Sequence, residues 1–308
     1  MTEATISVVC VASWNVDLVS HVARPLQRGE TLMATGFATS PGGKGSNAAV
    51  AAARQGARVG LIGRIGDDDF GRMGRALWDR EGIDHRHVVQ AAGERSGVAQ
   101  ILVYDDGDNS IAVAPGAGLG LSAGHVQSAQ SMLSGCKVVM ASLEVPQTAT
   151  REAFVLARQV GAVTVLNPAP AQPIDEGLWR WINVLTPNES ELQELSGLPK
   201  TASLEAAAHA LLAKGVDALV VTLGEKGCAL FRAREPAIYL SGLTQTVVDT
   251  IGAGDTFTGA LAAALARGES LVQGLRWANV AAALSVTQAT ALGGMPSFQA
   301  TLAALPEV

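Results

Sequence analysis

Nearly continuous apolar runs recur along the chain, first at Ile6 to Ala12 and then at Val59 to Ile62, Val138 to Ala141, Val163 to Leu166, Val184 to Leu185 and Ala218 to Thr222. Continuous rather than alternating hydrophobicity is the mark of strands covered on both faces. Between these runs, helical patterns cover Ala48 to Gln55, Phe70 to Glu81, Thr148 to Val160, Leu204 to Lys214 and Thr256 to Arg267. Each meets a glycine just past its end, at Gly56, Gly82, Gly161, Gly215 and Gly268. Glycine is the residue that most readily closes a helix in the left-handed conformation. Strands alternating with helices predict right-handed βαβ units. The fold class expected is α/β, a three-layer α/β/α sandwich around a mostly parallel central sheet.

Two stretches break this rhythm. Val16 to Ser40 carries strand-like pieces around a turn at Gln27-Arg28-Gly29. Ser96 to Ala114 carries Val98 to Tyr104 and Ser110 to Ala114 on either side of Asp105-Asp106-Gly107-Asp108-Asn109. Both predict antiparallel strands outside the main sheet. The reading is one domain over residues 1–308, with a small β-sheet lid inserted at about 16–40 and 96–114. Chain return to the core is expected at Pro41-Gly42-Gly43 and Pro115-Gly116. Ile101-Leu102-Val103 is apolar on both strand faces, so one face is expected to cover a ligand and the other to meet a partner subunit.

Composition narrows the class. Hydrophobic residues make up 48% of the 308 positions, enough for a large core and too many for a disordered chain. The net charge of −6 provides no basic footprint, which excludes nucleic acid as a partner. Cys10, Cys136 and Cys228 have no metal or redox spacing and read as buried free thiols in a reducing cytoplasm. Met1-Thr2-Glu3 lacks the start of an export signal. Trp277 to Pro306 is uncharged, yet Asn279, Gln288, Gly293, Gly294 and Pro296 interrupt it, so no membrane association is expected.

Three constellations carry chemistry. Asn15 and Asp17 follow the first strand, and in extended backbone residues two apart face the same way. They would present an amide and a carboxylate beyond a strand's carboxyl end, where α/β sheets bind ligands; an aspartate can accept both hydroxyls of a sugar diol. An Asx turn explains the pair equally well. The second is Pro41-Gly42-Gly43-Lys44-Gly45-Ser46-Asn47, a glycine loop leading into a helix whose N-terminus favours oxygen ligands. It lacks Walker A spacing, and a plain turn is its rival reading. The third is Asp249-Thr250-Ile251-Gly252-Ala253-Gly254-Asp255-Thr256, where small residues leave amides free for an anion at a helix start. Asp255 is either a helix cap or the base that phosphoryl transfer needs beside such an anion hole. Weaker signals are the glycine-flanked loop Thr222 to Gly227, Glu144 after a buried strand, and Asn188 with Glu191, whose spacing also fits a capping box. The histidines form no metal-spaced set, and no dinucleotide fingerprint or nucleophile elbow occurs.

Taken together, these residues resemble the ribokinase branch of the PfkB carbohydrate kinase family. One signature runs from Gly42-Gly43-Lys44-Gly45-Ser46-Asn47 through Gly56 to Gly66, the other from Asp249 to Asp255 and on to Gly259-Ala260-Leu261. Asn167-Pro168-Ala169-Pro170, Thr186-Pro187-Asn188-Glu189 and Thr222-Leu223-Gly224 stand between them in family order, so the likeness spans essentially the whole chain. The resemblance implies a ribokinase-like sandwich whose β-lid clasps a homodimer. It implies ATP-dependent phosphorylation of a sugar hydroxyl, with D-ribose O5 as the leading acceptor, Asp255 as base and residues Gly252, Ala253 and Gly254 as anion hole. Asn15, Asp17, Gly42, Gly43, Lys44, Asn47 and Glu144 match the sugar-binding positions. Asn188, Thr222, Gly224, Gly227, Gly254 and Asn279 match the ATP contacts. Glu191 matches a motif linked to magnesium, and Asp249 with the carbonyl of Ile251 matches a monovalent-cation site for potassium, to which Ser285, Gln288 and Thr290 can add oxygens.

Three positions depart from the branch: Trp14 stands where a smaller residue is usual, Ala48 where glutamine is frequent, and Gly294 where a serine would add a hydroxyl ligand. Another pentose, a ketohexose or a nucleoside stays open as acceptor, the last requiring an apolar pocket beyond the sugar site. A non-catalytic sugar-binding protein is the alternative of another class.

Overall fold

The computed structural model describes residues 5–306; Met1-Thr2-Glu3 lies outside the described residues. In chain order the elements are β1 Val8–Ala12, β2 Asn15–Val22, β3 Gly36–Gly42, α1 Lys44–Arg54, β4 Val59–Gly66, α2 Asp69–Arg80, β5 Asp84–Ala91, β6 Gly97–Tyr104 and β7 Asn109–Ala114. Then come α3 Ala123–Ser128, α4 Gln130–Leu133, β8 Val138–Ser142, α5 Gln147–Gln159, β9 Val163–Asn167, β10 Val184–Leu185, α6 Glu189–Ser196 and α7 Leu204–Leu212. The chain finishes with β11 Ala218–Thr222, β12 Gly227–Phe231, β13 Ile238–Ser241, α8 Ala253–Ala266, α9 Leu271–Ser285 and α10 Phe298–Ala304.

Among the described residues, nine strands form the main sheet in the order β13-β12-β11-β10-β9-β8-β1-β4-β5. Every neighbour pair from β11 to β5 is parallel, and β12 and β13 close one edge antiparallel. The expected buried runs fall on β1, β4, β8, β9, β10 and β11, and every residue of β1 and β8 is buried; β12, equally buried, is not among them. Two apolar clusters cover the two faces. One joins the sheet to α1, α2, α8 and α9 through residues such as Ala49, Trp78, Leu261 and Trp277. The other joins it to α3 to α7 through Val126, Leu133, Phe154, Leu192 and Leu211. The three layers follow directly.

The chain leaves β1 for β4 on one side and later fills β8 on the other, so strand order reverses at β1. Ligands bind in the crevice beyond the carboxyl ends of the strands at such a reversal. Residues 13–17, after β1, and Glu144, after β8, stand at that crevice.

The second sheet has the order β3-β2-β6-β7 and lies outside the main one. Its outer pairs are antiparallel as expected, but its central pair, β2 with β6, is parallel, which corrects the all-antiparallel reading. The two strands come from separate insertions, so no hairpin forces them antiparallel. Phe37, Ile111 and Val113 of this lid are more than half exposed. No helix of the described residues is long and apolar enough to cross a membrane.

Two helix starts also differ from the sequence reading. α1 begins at Lys44 rather than Ala48, and α8 at Ala253 rather than Thr256. In both, glycine-rich residues that read as loop form the first helical turn, because tertiary packing outweighs their poor helix propensity. Gly259 shows the packing: a Cβ there would run into the carbonyl of Ala48, so α8 lies directly against α1.

Candidate active site

The two helix starts meet at one point. Gly43 caps α1 with φ 91°, and a Cβ there would lie 2.8 Å from the Ser13 carbonyl, so glycine is required on both counts. With α1 pressed onto the end of β1, Lys44 and Asn47 share a helix face three residues apart. Asn47 Nδ2 donates to Asp255 Oδ2 at 2.9 Å, joining residues 208 positions apart. The other amide atom, Asn47 Oδ1, is buried without a protein partner. Asp255 is therefore not a helix cap: α8 is capped by Gly252 with φ 79°, and the Asp255 side chain turns to Asn47 instead.

Electrostatics distinguish this carboxylate. Burial pushes Asp255 up to about 6, against the pull of Lys44 and the Asn47 amide, with Glu144 and Glu191 adding to the rise. Burial, followed by the charges of Glu144 and Asp255, raises Asp17 to about 6 as well, with Lys44 opposing. Two carboxyls with perturbed ionisation beside a lysine at a crevice are a functional arrangement. Asp17 packs over Gly42, whose Cβ would overlap the carboxylate, and Asn15 lies over Gly97 in the same way.

Glu144 is held tightly. Its Oε2 accepts from Ser13 Oγ at 2.6 Å and from the Lys44 backbone N–H at 2.8 Å. Ser13 Oγ in turn accepts from the Gly45 N–H at 3.2 Å. Sequence reasoning missed Ser13. Its place directly after a buried strand at the crevice was the available signal. Trp14, the bulky departure, points away: its Nε1 donates to the Phe70 carbonyl at 2.9 Å and its ring meets Trp78 edge-on at 5.5 Å.

At the start of α8, the amides of Gly252, Gly254 and Asp255 donate to no protein group among the described residues. The Ala253 amide differs from the expected anion hole, since it donates to the Thr250 carbonyl at 3.3 Å. Free amides at a helix N-terminus suit an anion. They border a cavity of about 330 Å³ that also contains Lys44, Asn188, Glu191 and Asp255. This opens into a larger cavity of about 650 Å³, which all six expected nucleotide residues line: Asn188, Thr222, Gly224, Gly227, Gly254 and Asn279. Phe257, Leu243 and Val247 line it too and were not foreseen. Asn279 Nδ2 donates to the Ser241 carbonyl at 2.7 Å, fixing α9 to β13 at the cavity wall.

Asn188 and Glu191 do form a reciprocal capping box, with Glu191 N–H donating to Asn188 Oδ1 at 2.8 Å and Asn188 N–H to Glu191 Oε2 at 2.9 Å. The cap leaves Glu191 Oε1 for the cavity. Asp249 accepts from the amides of Ile251 and Thr290, both at 2.9 Å, and so ties the 249–254 loop to the 286–294 loop. Ser285 Oγ donates to its own helix at Ala282, and Thr290 Oγ1 accepts from Gly293 N–H. A Cβ on Gly294 would strike the Ser285 carbonyl, so the serine usual there has no room in this loop.

The chain matches the family model described as pfkB family carbohydrate kinase over residues 5–297. It is 36% identical to the ribokinase of Haemophilus influenzae across 95% of this chain and 96% of that one. It is 37% identical to the ribokinase of Mus musculus across 94% and 91%. A solved structure of Arabidopsis thaliana ribokinase with ribose and ATP superposes with a TM-score of 0.91 at 32% identity, covering 99% of this chain and all of that one. With both signatures at one crevice and likeness along nearly the full length, the chain is a member of the PfkB carbohydrate kinase family.

Proposed function

We propose that this kinase transfers the γ-phosphoryl group of ATP to O5 of D-ribose, giving ribose 5-phosphate and ADP. The observation that carries the reading is Asp255, a buried carboxyl placed between free helix amides and a polar cluster of Asp17, Lys44, Asn47 and Glu144. Asp17 accepts two ribose hydroxyls, Lys44 and Glu144 fix the ring, and Asn47 Oδ1 accepts a hydroxyl in place of its missing partner. O5 attacks in line: the O5–P bond forms, the bond from phosphorus to the β,γ-bridging oxygen breaks, the proton passes to Asp255, and ADP leaves. Catalysis of this kind is positioning plus charge stabilisation. The amides of Gly252, Gly254 and Asp255 receive the charge on the moving phosphoryl group.

Magnesium fits the donor set. No cluster of three or more acidic, histidine or cysteine groups exists among the described residues to cage a metal. One carboxylate oxygen at Glu191 beside the phosphate cavity suits an ion carried mainly by nucleotide phosphates and water. That ion would neutralise phosphate charge when bound. For potassium, the hydroxyls are engaged, but the carbonyls of Ile251, Ser285, Gln288 and Thr290 accept no backbone hydrogen bond outside helices and strands among the described residues. Carbonyl oxygens with Asp249 suit a monovalent cation, which would stiffen the anion-hole loop without touching ribose.

The reading further takes residues 1–308 as one kinase domain with lid strands at about 16–40 and 96–114. The lid's exposed apolar side chains support a homodimer joined through it, and three free buried cysteines support a reducing cytoplasm. Sedimentation equilibrium at working concentration tests the dimer; a monomer mass overturns it. The reaction is tested by ATP-dependent formation of ribose 5-phosphate, lost in Asp255→Asn.

A further inference from the structure

The loop between α9 and α10 is held in a strained shape. Thr290, a β-branched residue, has φ 69°, in the left-handed region that such residues rarely enter. Backbone of this kind persists only where its surroundings over-determine it, and it clusters at functional sites. Asp249 supplies one restraint by accepting the Thr290 N–H. Further restraints come from the C-terminal end of α1, from residues that line neither the phosphate cavity nor the nucleotide cavity.

Arg54, in the last turn of α1, divides its guanidinium between two elements. Its Nε and Nη2 donate to the two carboxylate oxygens of Glu81, just past α2, at 3.0 and 2.7 Å. Its Nη1 donates to the Leu292 carbonyl at 2.6 Å and to the Met295 carbonyl at 3.2 Å. Gln55, next in the chain and buried, donates from Nε2 to the Pro296 carbonyl at 2.8 Å, and its Oε1 accepts from Trp277 Nε1 at 2.8 Å. A planar, permanently charged fork gripped by a carboxylate fixes the carbonyls on its other edge more rigidly than a flexible ammonium would.

The same loop touches the anion hole. A Cβ on Gly252 would lie 2.8 Å from Ala291 Cβ and 3.2 Å from the Ala291 carbonyl, so the Gly252 backbone rests on Ala291, the neighbour of Leu292. Both ends of α1 therefore lead to the transfer centre. Asn47 in its first turn reaches Asp255 directly, and Arg54 in its last turn reaches Gly252 through Leu292 and Ala291.

We propose that Arg54 is a positioning residue for phosphoryl transfer: it fixes Leu292 and Met295, and so holds Ala291 where it aims the Gly252 N–H at the moving phosphoryl group. This rests on the anion-hole role that the transfer reading gives to that amide. Charge on the phosphoryl group develops only in the transition state, so losing the clamp falls on kcat and spares KM.

The experiment compares the unaltered protein with Arg54→Ala and Arg54→Lys. In Arg54→Ala, kcat for ribose phosphorylation should fall about ten- to hundredfold, with KM for ribose and for ATP within about twofold of the parent. Arg54→Lys, which keeps one donor for the carbonyls, should retain more of kcat than Arg54→Ala. The second readout is inhibition by ADP with aluminium fluoride and magnesium, a mimic of the phosphoryl group in transit. It should weaken about tenfold or more in Arg54→Ala, while inhibition by ADP alone stays unchanged. A kcat near the parent's, a loss shared equally by both KM values, or fluoroaluminate inhibition that weakens no more than that by ADP overturns the inference and leaves the ribose reading standing. If Arg54→Ala does not fold, Arg54→Lys carries the same two comparisons, with a several-fold loss of kcat expected and none overturning it. If the parent phosphorylates no ribose, the transfer reading fails instead. Calorimetric titration of ADP with aluminium fluoride then decides the clamp alone: binding weakened in the variant with ADP binding unchanged supports it, and equal or absent fluoroaluminate binding overturns it.

Discussion

Replacing Asp255 by asparagine should make the protein slower and more stable together. The folded protein holds this carboxyl at about 6 against an ordinary value of 3.8, chiefly through burial. Above pH 6 the folded state carries a buried charge that the unfolded chain would solvate. The difference corresponds to about 3 kcal/mol at ~1.36 kcal/mol per tenfold change in proton affinity. The sign follows from proton binding: the folded state holds the proton more tightly, so the contribution to stability is present below 3.8 and lost as pH rises through 6. Asparagine keeps an oxygen to accept from Asn47 Nδ2 and carries no charge. At pH 8 the variant should therefore gain up to about 3 kcal/mol, and at pH 4 little. Turnover should fall by ~10²–10⁴-fold, the usual worth of a general base, while ribose binding survives. Urea unfolding at both pH values and steady-state kinetics on one preparation supply the measurements. A variant with near-normal turnover refutes the catalytic argument, and one less stable at pH 8 than the parent refutes the electrostatic one.

Other consequences are equally direct. Because Asp255 must be ionised to take a proton, kcat/KM should climb as pH rises through about 6 and level off above it; a pH–rate profile without that acid limb contradicts the assignment. Ser13→Ala removes the hydroxyl that holds Glu144 and caps Gly45, and should raise KM for ribose about tenfold with KM for ATP and kcat nearly unchanged. An equal loss in kcat would mean a general disturbance instead. Gly259→Val should lower stability by about 1–3 kcal/mol by forcing α8 off α1, read by urea unfolding; unchanged stability would show that the contact relaxes freely. Replacing potassium by tetramethylammonium should lower turnover at constant ionic strength, and equal rates would remove the cation from the account.

The core was legible because its strands are covered on both faces, so hydrophobicity alone marks β1, β8, β9, β10 and β11. The five closing glycines all have positive φ, as the helix ends demanded. Edge elements were not legible. β5, with Asp84, His85, Arg86 and His87, is too polar to resemble a buried strand, and β12 follows a glycine loop that reads as a turn. α9 is so evenly apolar and alanine-rich that it has little periodicity to read. At the site, residues adjacent in sequence were found from their motifs, since such loops concentrate several donors in a few positions. What could not be read was which motif meets which. The Asn47–Asp255 and Ser13–Glu144 bonds depend on how the sheet brings distant segments together, and so does the bond that holds the Trp14 indole to the Phe70 carbonyl.

The most direct test of the central claim is to follow the protein with ATP, magnesium and 5-¹³C-labelled D-ribose by ¹³C and ³¹P nuclear magnetic resonance. The account predicts a phosphorus coupling on the C5 signal, one ADP for each phosphoester formed, and no such signal with Asp255→Asn. A phosphoester on another ribose carbon, or ribose left unchanged while ATP is present in excess, would contradict it.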